Sequence, residues 1–420
     1  MQNTGKLLKN RTLVTIGVAE SISGIGDWIT MMAIFAILVF RGTGGVAESS
    51  GIFMAGLLPT LPASLAAGWL CDRYDRKRLM IASLLVSGLV VSGLIFTDNL
   101  VLIYALLALQ AVSVSIMTPA RQSVIPDIVP AEELTRANAL LQQLAGIIKI
   151  GAPMIAGGIL AVLNPHQAII LDVISFAVAA LLLTFLPPLP PHKKSGTDAN
   201  VEIVSSKVTM FSVLKRIPGL RLAFMSIFLA ILILVGFDVS VSVFIRDFLL
   251  ADESFMGLSI GLVGVGTLIA TMLLLTRKAK NDHWRDVVAG VSLLAIIPLS
   301  LTLSIYIGKP EFGRLLVLGG CLVGGIGNGL LNVQVTTLLQ TLTPPEMLGR
   351  MGGAFQSTAV AGQLVGIVVT PILLAKFLSM GQYYGIAFIC LVLLVVYILF
   401  NLRQNKRIIE FSPIGVKDEI

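Results

Sequence analysis

Three stretches of this chain contain no charged residue and are long enough to cross a lipid bilayer: residues 79–96, 287–307 and 383–400. A membrane-spanning helix needs about 20 apolar residues. Because lipid offers the backbone no hydrogen-bond partners, we expect each stretch to be a helix. Charged residues make up only 13% of the chain, about half of the roughly 25% found in soluble domains. The sequence therefore predicts an integral membrane protein.

Further stretches have a similar length and are interrupted only by single polar residues. Together they predict an all-α membrane protein with twelve transmembrane helices. The predicted spans are residues 13–40, 49–70, 79–97, 100–118, 137–163, 168–186, 222–245, 256–276, 287–307, 315–340, 351–377 and 383–401.

Lys and Arg are unevenly divided between the two sides of the predicted membrane. If the N-terminus is cytoplasmic, the outer side holds only Arg41, Arg246, Lys309, Arg314 and Lys376. Cytoplasmic loops of membrane proteins are enriched in Lys and Arg. We therefore predict a multi-pass protein of the cell membrane with both termini in the cytoplasm.

One long polar segment interrupts the spans and begins Pro-Pro-Leu-Pro-Pro. We predict an N-terminal six-helix half over residues 1–186, a cytoplasmic linker over 187–220, and a C-terminal six-helix half with a cytoplasmic tail over 221–420. Residues 210–220 suit either a short interfacial helix or an unstructured linker.

The two predicted halves share a short sequence match in corresponding loops. Residues 130–136 read Pro-Ala-Glu-Glu-Leu-Thr-Arg, and residues 344–350 read Pro-Pro-Glu-Met-Leu-Gly-Arg. Pro, Glu, Leu and Arg coincide at one offset. Two related halves joined by a linker are typical of secondary transporters.

The loop between the second and third spans reads Gly-Trp-Leu-Cys-Asp-Arg-Tyr-Asp-Arg-Lys-Arg from Gly68 to Arg78. It resembles the loop G-x-L-a-D-R-x-G-R-K-x of the major facilitator superfamily, with Asp75 where that family usually has Gly. A merely basic cytoplasmic loop would explain the arginines but not Gly68 and Asp72. The resemblance implies two pseudo-symmetric six-helix halves and transport by alternating access.

The resemblance also implies a gate on the cytoplasmic side. Asp72 is expected to dock at the start of the eleventh span, near residues 349–353, where a helix N-terminus favours a carboxylate. Arg76 is expected to pair with Asp127. The gating residues that the resemblance implies are Gly68, Asp72, Arg73, Arg76, Lys77 and Asp127.

A second region resembles the macrolide-efflux-like branch of the drug:proton antiporters. The similarity lies in residues 119–130 and 136–140. Residues 151–158, Gly-Ala-Pro-Met-Ile-Ala-Gly-Gly, are similar to the antiporter motif of the fifth span but one residue longer. The arginine usual in the middle of the fourth span is absent, and Gln110 and Ser113 are the polar residues near its place.

Ionisable residues within the spans are the candidates for proton coupling, because each is costly in lipid. Glu20 and Asp27 are seven residues apart in the first span, which places them within about 20° on one helical face. Asp238 lies in the seventh span, and Lys149 in the fifth span lies at the depth of Asp27. A Lys149–Asp27 pair would be either a permanent structural ion pair or a proton or substrate switch. Asp172 is expected to pack or cap.

The substrate cavity is expected to be lined by polar residues of both halves. Each single amide has the alternative role of a hydrogen bond between helices. The predicted cavity residues are Asp27, Gln110, Ser113, Asn328, Asn332, Gln334, Gln356 and Gln363.

Several functions find no support in the sequence. There is no G-x-x-x-x-G-K-[ST] loop that would indicate an ATPase, and the three histidines and three cysteines are scattered. We expect no enzymatic activity, no metal or cofactor and no nucleic-acid partner.

The leading hypothesis is a monomeric, proton-coupled exporter of amphipathic small molecules, a cationic substrate being one option. Its expected partners are the substrate, protons and the lipid bilayer. The alternatives are a siderophore or lipid exporter, a small-molecule importer of the same fold, and a non-transporting membrane sensor.

Overall fold

The computed structural model describes residues 10–130, 134–190, 217–276, 283–343 and 348–404. Most of the predicted linker, with its possible interfacial helix, and the C-terminal tail lie outside the described residues. The chain divides into two compact units, residues 1–200 with 251–261, and residues 201–250 with 262–420.

The regular elements of the described first unit are helices, and four of them begin at a side-chain cap. Side chains of Asn10, Asp75, Asn99 and Asn164 accept hydrogen bonds from backbone N–H groups in the first helical turn, which supplies partners that the helix itself lacks. The helices are α1 (Arg11–Phe35), α2 (Val46–Leu57), α3 (Thr60–Arg73), α4 (Arg76–Gly93), α5 (Leu100–Val114), α6 (Met117–Ile128), α7 (Leu134–Leu160) and α8 (Pro165–Thr184). A π-helical segment, Ala36–Phe40, continues α1.

The described part of the second unit is also helical. The helix that follows the linker begins at Pro218, so residues 218–220, assigned to the linker from sequence, form its first turn. The helices are α9 (Pro218–Asp247), α10 (Glu253–Thr276, whose first residues belong to the first unit), α11 (His283–Leu294), α12 (Ile296–Ile307), α13 (Pro310–Leu342), α14 (Leu348–Lys376) and α15 (Met380–Gln404).

The all-α membrane fold predicted from sequence is confirmed. Eleven helical segments of the described chain are long and apolar enough to cross a membrane, and they correspond to eleven predicted spans. The remaining prediction, residues 49–70, is divided between α2 and α3, which meet at Leu58 and Pro59. Pro62 lies in the first turn of α3, where the N–H that proline lacks has no helical partner.

Glycines allow α13 to pack directly against the backbone of its neighbours in the second unit. A Cβ atom at Gly327 would lie 2.5 Å from the carbonyl oxygen of Gly290 on α11 and 2.9 Å from the carbonyl carbon of Leu293. Side-chain-free positions permit such close helix crossings in membranes. The glycine-rich sequence of the tenth span is therefore a packing surface.

Gly327→Ala is expected to lower the free energy of unfolding by about 1–3 kcal/mol, because the added methyl group overpacks a backbone contact. Gly319 on the same helix is a matched control, since a Cβ there meets no atom within 4 Å. Gly319→Ala should be neutral or stabilising by roughly 0.5–1 kcal/mol. Thermal unfolding of the detergent-purified variants measures the difference, and equal Tm values would contradict the packing argument.

Candidate transport site

Four helices of the first unit, α1, α5, α6 and α7, line a cavity of about 430 Å³. Small-molecule sites typically measure roughly 300–1,000 Å³. One part of the wall is apolar and includes Trp28 and the α7 residues Leu141, Leu144 and Ile148. The charged lining residues are Glu20, Asp27, Arg121 and Lys149. A cavity with an apolar wall and ionisable groups suits an amphipathic ligand.

Glu20 forms an ion pair that was not predicted from the sequence. Its Oε1 lies 2.8 Å from Nε of Arg121, and both side chains are largely buried. The fourth span was predicted to end at residue 118, which left Arg121 in a cytoplasmic loop; this was wrong, because α6 continues the span from Met117 to Ile128. Pro119 lies in the first turn of α6, where proline is tolerated.

Glu20→Gln is expected to destabilise the protein by leaving the Arg121 cation without its partner. Arg121→Gln should leave the Glu20 carboxylate without its partner and lower the stability by a similar amount. The double variant should be more stable than the sum of the single effects, by roughly 0.5–3 kcal/mol. Thermal unfolding of the four proteins measures this coupling, and strictly additive effects would show that the contact contributes nothing.

Within the part of the chain that the structure describes, Asp27 is held by an amide and not by a cation. Nε2 of Gln110 on α5 donates to Oδ1 of Asp27 at 2.8 Å, so two of the predicted cavity residues do meet. Lys149 lines the same cavity, but its side chain is exposed and forms no ion pair within the described part of the chain. The permanent Lys149–Asp27 pair is therefore absent from this structure. Lys149 and Asp27 lie at equal depth on two helices, but their side chains do not meet. The direction of a side chain depends on the rotation of its helix about its axis, which depth does not give.

Ser113 was predicted to line the cavity, but its contacts join two helices. Its hydroxyl donates to the carbonyl of Leu109 at 3.0 Å, and its own carbonyl accepts from the Ser83 hydroxyl at 2.6 Å. Ser113 is buried between α4 and α5.

Asp172 on α8 is fully buried against α1. The Thr30 hydroxyl donates to its Oδ2 at 2.5 Å, and the Ser175 hydroxyl donates to its Oδ1 at 3.0 Å. A Cβ atom at Gly26 would overlap Oδ1 of Asp172. The expected packing role of Asp172 therefore has a geometric basis, and the absence of a side chain at Gly26 is what admits the carboxyl group.

Gln334 in the second unit was predicted to line the cavity, but it belongs to a contact between α11 and α13. Its Nε2 donates to Oδ2 of Asp286 at 2.9 Å, and its Oε1 lies 2.7 Å from Nδ1 of His283. This is the alternative role of membrane amides, a hydrogen bond between helices. The His283–Gln334–Asp286 network was missed, because the residues lie about 50 positions apart in sequence.

The other candidate residues of the second unit differ in their exposure. Asn332 is exposed, and its Nδ2 donates to Oδ1 of Asn328 at 2.7 Å. Asp238 on α9 and Gln363 on α14 are half-buried. The side chain of Gln356 lies outside the described residues.

The loop that resembles the superfamily signature is anchored by its basic residues. Nη1 of Arg76 lies 2.6 Å from Oδ2 of Asp127, so the predicted pair is present, and Arg76 is buried. Nζ of Lys77 donates to the carbonyls of Thr184, the last residue of α8, and of Leu186 just beyond it. The guanidinium carbon of Arg73 lies 4.0 Å from the ring centroid of Trp69.

Asp75, the departure from the signature, has a definite structural role. Its Oδ1 accepts from the backbone N–H of Arg78 at 2.9 Å and caps α4, and its Oδ2 accepts from the N–H of Leu189 at 2.9 Å. Asp75 thus ties the loop to the segment after α8. The predicted docking of Asp72 falls on side chains outside the described residues, as does the environment of Gly68.

A family model described as Major Facilitator Superfamily matches residues 16–367. The chain belongs to the major facilitator superfamily. It is therefore a multi-pass membrane transporter, and the resemblance seen in the loop from Gly68 to Arg78 is confirmed. Members of this superfamily are generally transporters and not enzymes.

Two relatives in the superfamily are efflux proteins. The chain is 23% identical to macrolide efflux protein A of Streptococcus pyogenes over 365 residues, 85% of this chain and 88% of the relative. It is 25% identical to the multidrug efflux pump Tap of Mycolicibacterium fortuitum over 385 residues, 86% of this chain and 88% of the relative. The predicted similarity to efflux-type members is thus confirmed.

A solved structure agrees with the fold. A POT family transporter in complex with a thioalcohol-conjugated peptide has a TM-score of 0.69 and 13% identity, with 94% of this chain and 96% of that chain covered. At this identity the similarity establishes the fold alone.

Proposed function

We propose that this superfamily member is a proton-coupled exporter of amphipathic small molecules. The observation that carries the proposal is the position of Asp27 at the edge of a cavity of about 430 Å³ with an apolar wall. The efflux relatives support the direction of transport. Alternating access, with the cavity open to one side of the membrane at a time, is the mode of transport proposed.

Asp27 is the proposed proton-binding residue. Its described partner is the neutral amide of Gln110, and a carboxylate at membrane depth without a cation is costly in its ionised form. Binding a proton removes that cost. A change in the access of Asp27 to water during the cycle would then load and unload the proton.

Lys149 is the proposed counter-charge for the proton-free state. Its exposed ammonium group lines the same cavity as Asp27. Loss of the proton would leave Asp27 negative and attract Lys149, which makes the pair a switch and not a permanent bridge. Glu20 is held by Arg121, so it has a supporting role in this proposal. Asp238 is the corresponding candidate in the second half.

The cytoplasmic gate is proposed to consist of the signature loop. The buried Arg76–Asp127 pair holds α4 against α6. Asp72 is proposed to dock at the start of α14 when the cytoplasmic side closes, as the resemblance implies.

Proton movement in everted membrane vesicles tests this function. The vesicle lumen is acidified by respiration, and macrolides, lipophilic cations, siderophores or lysolipids are added in turn. Proton release from the lumen on addition of one class, absent from vesicles without the protein, would support proton-coupled export and identify the class. Uptake of a compound without proton movement would contradict proton coupling. Proton entry together with the compound in right-side-out vesicles would favour the importer alternative.

A further inference from the structure

The cavity of the first unit is lined by charges of both signs, and only some of them neutralise each other. Of its four ionisable residues, Glu20 and Arg121 form an ion pair with 2.8 Å between Oε1 and Nε, so their charges cancel. Asp27 accepts its hydrogen bond from the amide of Gln110, which is neutral and does not compensate an ionised carboxylate. Lys149 forms no ion pair with a described residue. Without a proton on Asp27, the cavity therefore offers one negative and one positive group that no other described residue neutralises.

Contacts between α1 and α7 place these two groups at nearly the same level of the cavity. A Cβ atom at Gly17 would lie 3.3 Å from the side chain of Leu141, and one at Gly24 would lie 3.5 Å from the side chain of Ile148. The second contact follows the first by seven residues on both helices, so the helices run side by side in the same direction. The aspartate lies three positions after Gly24 and the lysine one position after Ile148. With a rise of 1.5 Å per residue, their levels differ by about 3 Å.

The other acidic residue packed against α1 does not take part in this arrangement. Asp172 on α8 is fully buried, and its carboxyl group accepts hydrogen bonds from the hydroxyl groups of Thr30 and Ser175. It is not among the residues that line the cavity. A ligand in the cavity therefore meets Asp27 and Lys149 and not Asp172.

The two opposite charges determine which headgroup fits, because a bound amphiphile displaces water from the cavity. A charge that loses its hydration without gaining a partner is costly. A cationic headgroup pairs with Asp27 but brings a like charge to Lys149, and an anionic headgroup does the reverse. An uncharged headgroup supplies an ionic partner to neither residue. A headgroup with both a cationic and an anionic group neutralises both residues, while its chain packs on the apolar wall that includes Trp28 and Ile148.

We propose that the cavity selects zwitterionic amphiphiles, with the cationic group of the substrate at Asp27 and its anionic group at Lys149. A proton on Asp27 removes the attraction for the cationic group, so proton and substrate compete for one site, as an exchange of the two requires. This inference rests on the proposed proton-coupled export and names its substrate class. Lys149 binds the anionic group of the substrate, and it pairs with Asp27 only when the cavity holds neither proton nor substrate.

Binding of charge-matched probes to the full chain in lipid nanodiscs tests the proposal without any proton gradient. The probes share a decyl chain and do not titrate near neutral pH; they are a decyl sulfobetaine, decyltrimethylammonium, decyl sulfonate and decyl glucoside. Titration calorimetry, corrected with empty nanodiscs, measures each Kd. The fluorescence of Trp28 reports occupancy of the cavity that it lines, with Trp28→Phe as the blank. Above neutral pH, the sulfobetaine should bind about tenfold more tightly than each other probe. This advantage should disappear as the pH falls and Asp27 takes up a proton.

Two substitutions should change the order of the affinities, which a loss of folded protein would not do. In Lys149→Gln, decyltrimethylammonium should bind at least as tightly as the sulfobetaine. In Asp27→Asn, decyl sulfonate should reach the affinity of the sulfobetaine, whose own binding weakens but persists. Lys309→Gln is the matched control, because Lys309 is exposed before the start of α13 and should keep the wild-type order. The proposal is overturned if the wild type binds the sulfobetaine no more tightly than the best of the other probes, or if both variants keep the wild-type order.

The binding result and the vesicle result distinguish this inference from the proposed function. If the affinities follow the expected order but the sulfobetaine releases no protons from acidified everted vesicles, the zwitterion site stands and proton-coupled export is wrong. If another class of compound releases protons while the sulfobetaine binds no better than the singly charged probes, export stands and the zwitterion site is wrong.

Discussion

Asp27→Asn is expected to abolish proton-driven export while leaving the protein folded. Asparagine has nearly the shape of aspartate, and its side-chain oxygen can still accept the hydrogen bond that Gln110 donates to Asp27 at 2.8 Å. It cannot bind and release a proton in this pH range. Transport driven by the proton gradient should fall to the level of vesicles without the protein. Exchange of labelled substrate at equal concentrations should continue, because it needs no net proton movement.

Everted vesicles that contain equal amounts of wild type and variant measure both rates. Asp247→Asn is the matched control, since Asp247 is exposed at the end of α9, outside the cavity, and pairs with the adjacent Arg246. That control should retain wild-type coupling. The wild-type rate should depend on pH and the exchange rate of Asp27→Asn should not. Full proton coupling in Asp27→Asn would remove Asp27 from the mechanism and make Asp238 the residue to test.

The fold was predictable because its main determinant, the hydropathy along the chain, can be read directly from the sequence. Long apolar runs such as residues 383–400 have a single outcome in a membrane, and hydropathy alone locates them. The signature loop from Gly68 to Arg78 then indicated the superfamily. The span boundaries were less predictable, because proline occurs both where a helix ends and in the first turn of a helix. The fourth span was predicted to end at residue 118, yet Pro119 lies in the first turn of α6, which continues that span to Ile128.

The site was predictable in its members and less so in its contacts. Sequence gives the depth of a residue along a helix, and the proton-coupling candidates Glu20, Asp27 and Lys149 all line one cavity. It does not give the rotation of one helix against another. For that reason Gln110 and not Lys149 holds Asp27, and the ion-pair partner of Glu20 is a residue assigned to a loop.

The contacts of amides and of glycines also could not be predicted from the sequence. A glutamine in a span can face a cavity or a neighbouring helix. Gln334 faces a neighbouring helix, where it contacts His283 and Asp286. Nothing in the sequence around Gly26 indicates that a carboxyl group on α8 will occupy the space beside this residue. Only the packed structure shows that the carboxyl group of Asp172 fills the space beside this glycine.

Arg76→Met is the second substitution from which we expect a large effect. The Arg76 side chain is 4% exposed and lies 2.6 Å from Asp127, whose side chain is 26% exposed. Methionine has a similar length but no charge, so Asp127 loses its cation in a largely buried place. Breaking a buried ion pair costs about 3 kcal/mol or more. We expect a lower Tm and a loss of transport in vesicles. Arg78→Met in the same loop is the control, because Arg78 is exposed.

Removing both partners distinguishes a gate from a simple structural bridge. Arg76→Met combined with Asp127→Leu leaves no unpaired buried charge, and apolar replacement of both members of such a pair often restores stability. If the pair only holds α4 against α6, the double variant should recover both Tm and transport. If the pair belongs to the cytoplasmic gate, Tm should recover while transport stays low, because the contact that must form and break in each cycle is gone. We expect the second result, and a double variant that transports at the wild-type rate would contradict the gating role of Arg76 and Asp127.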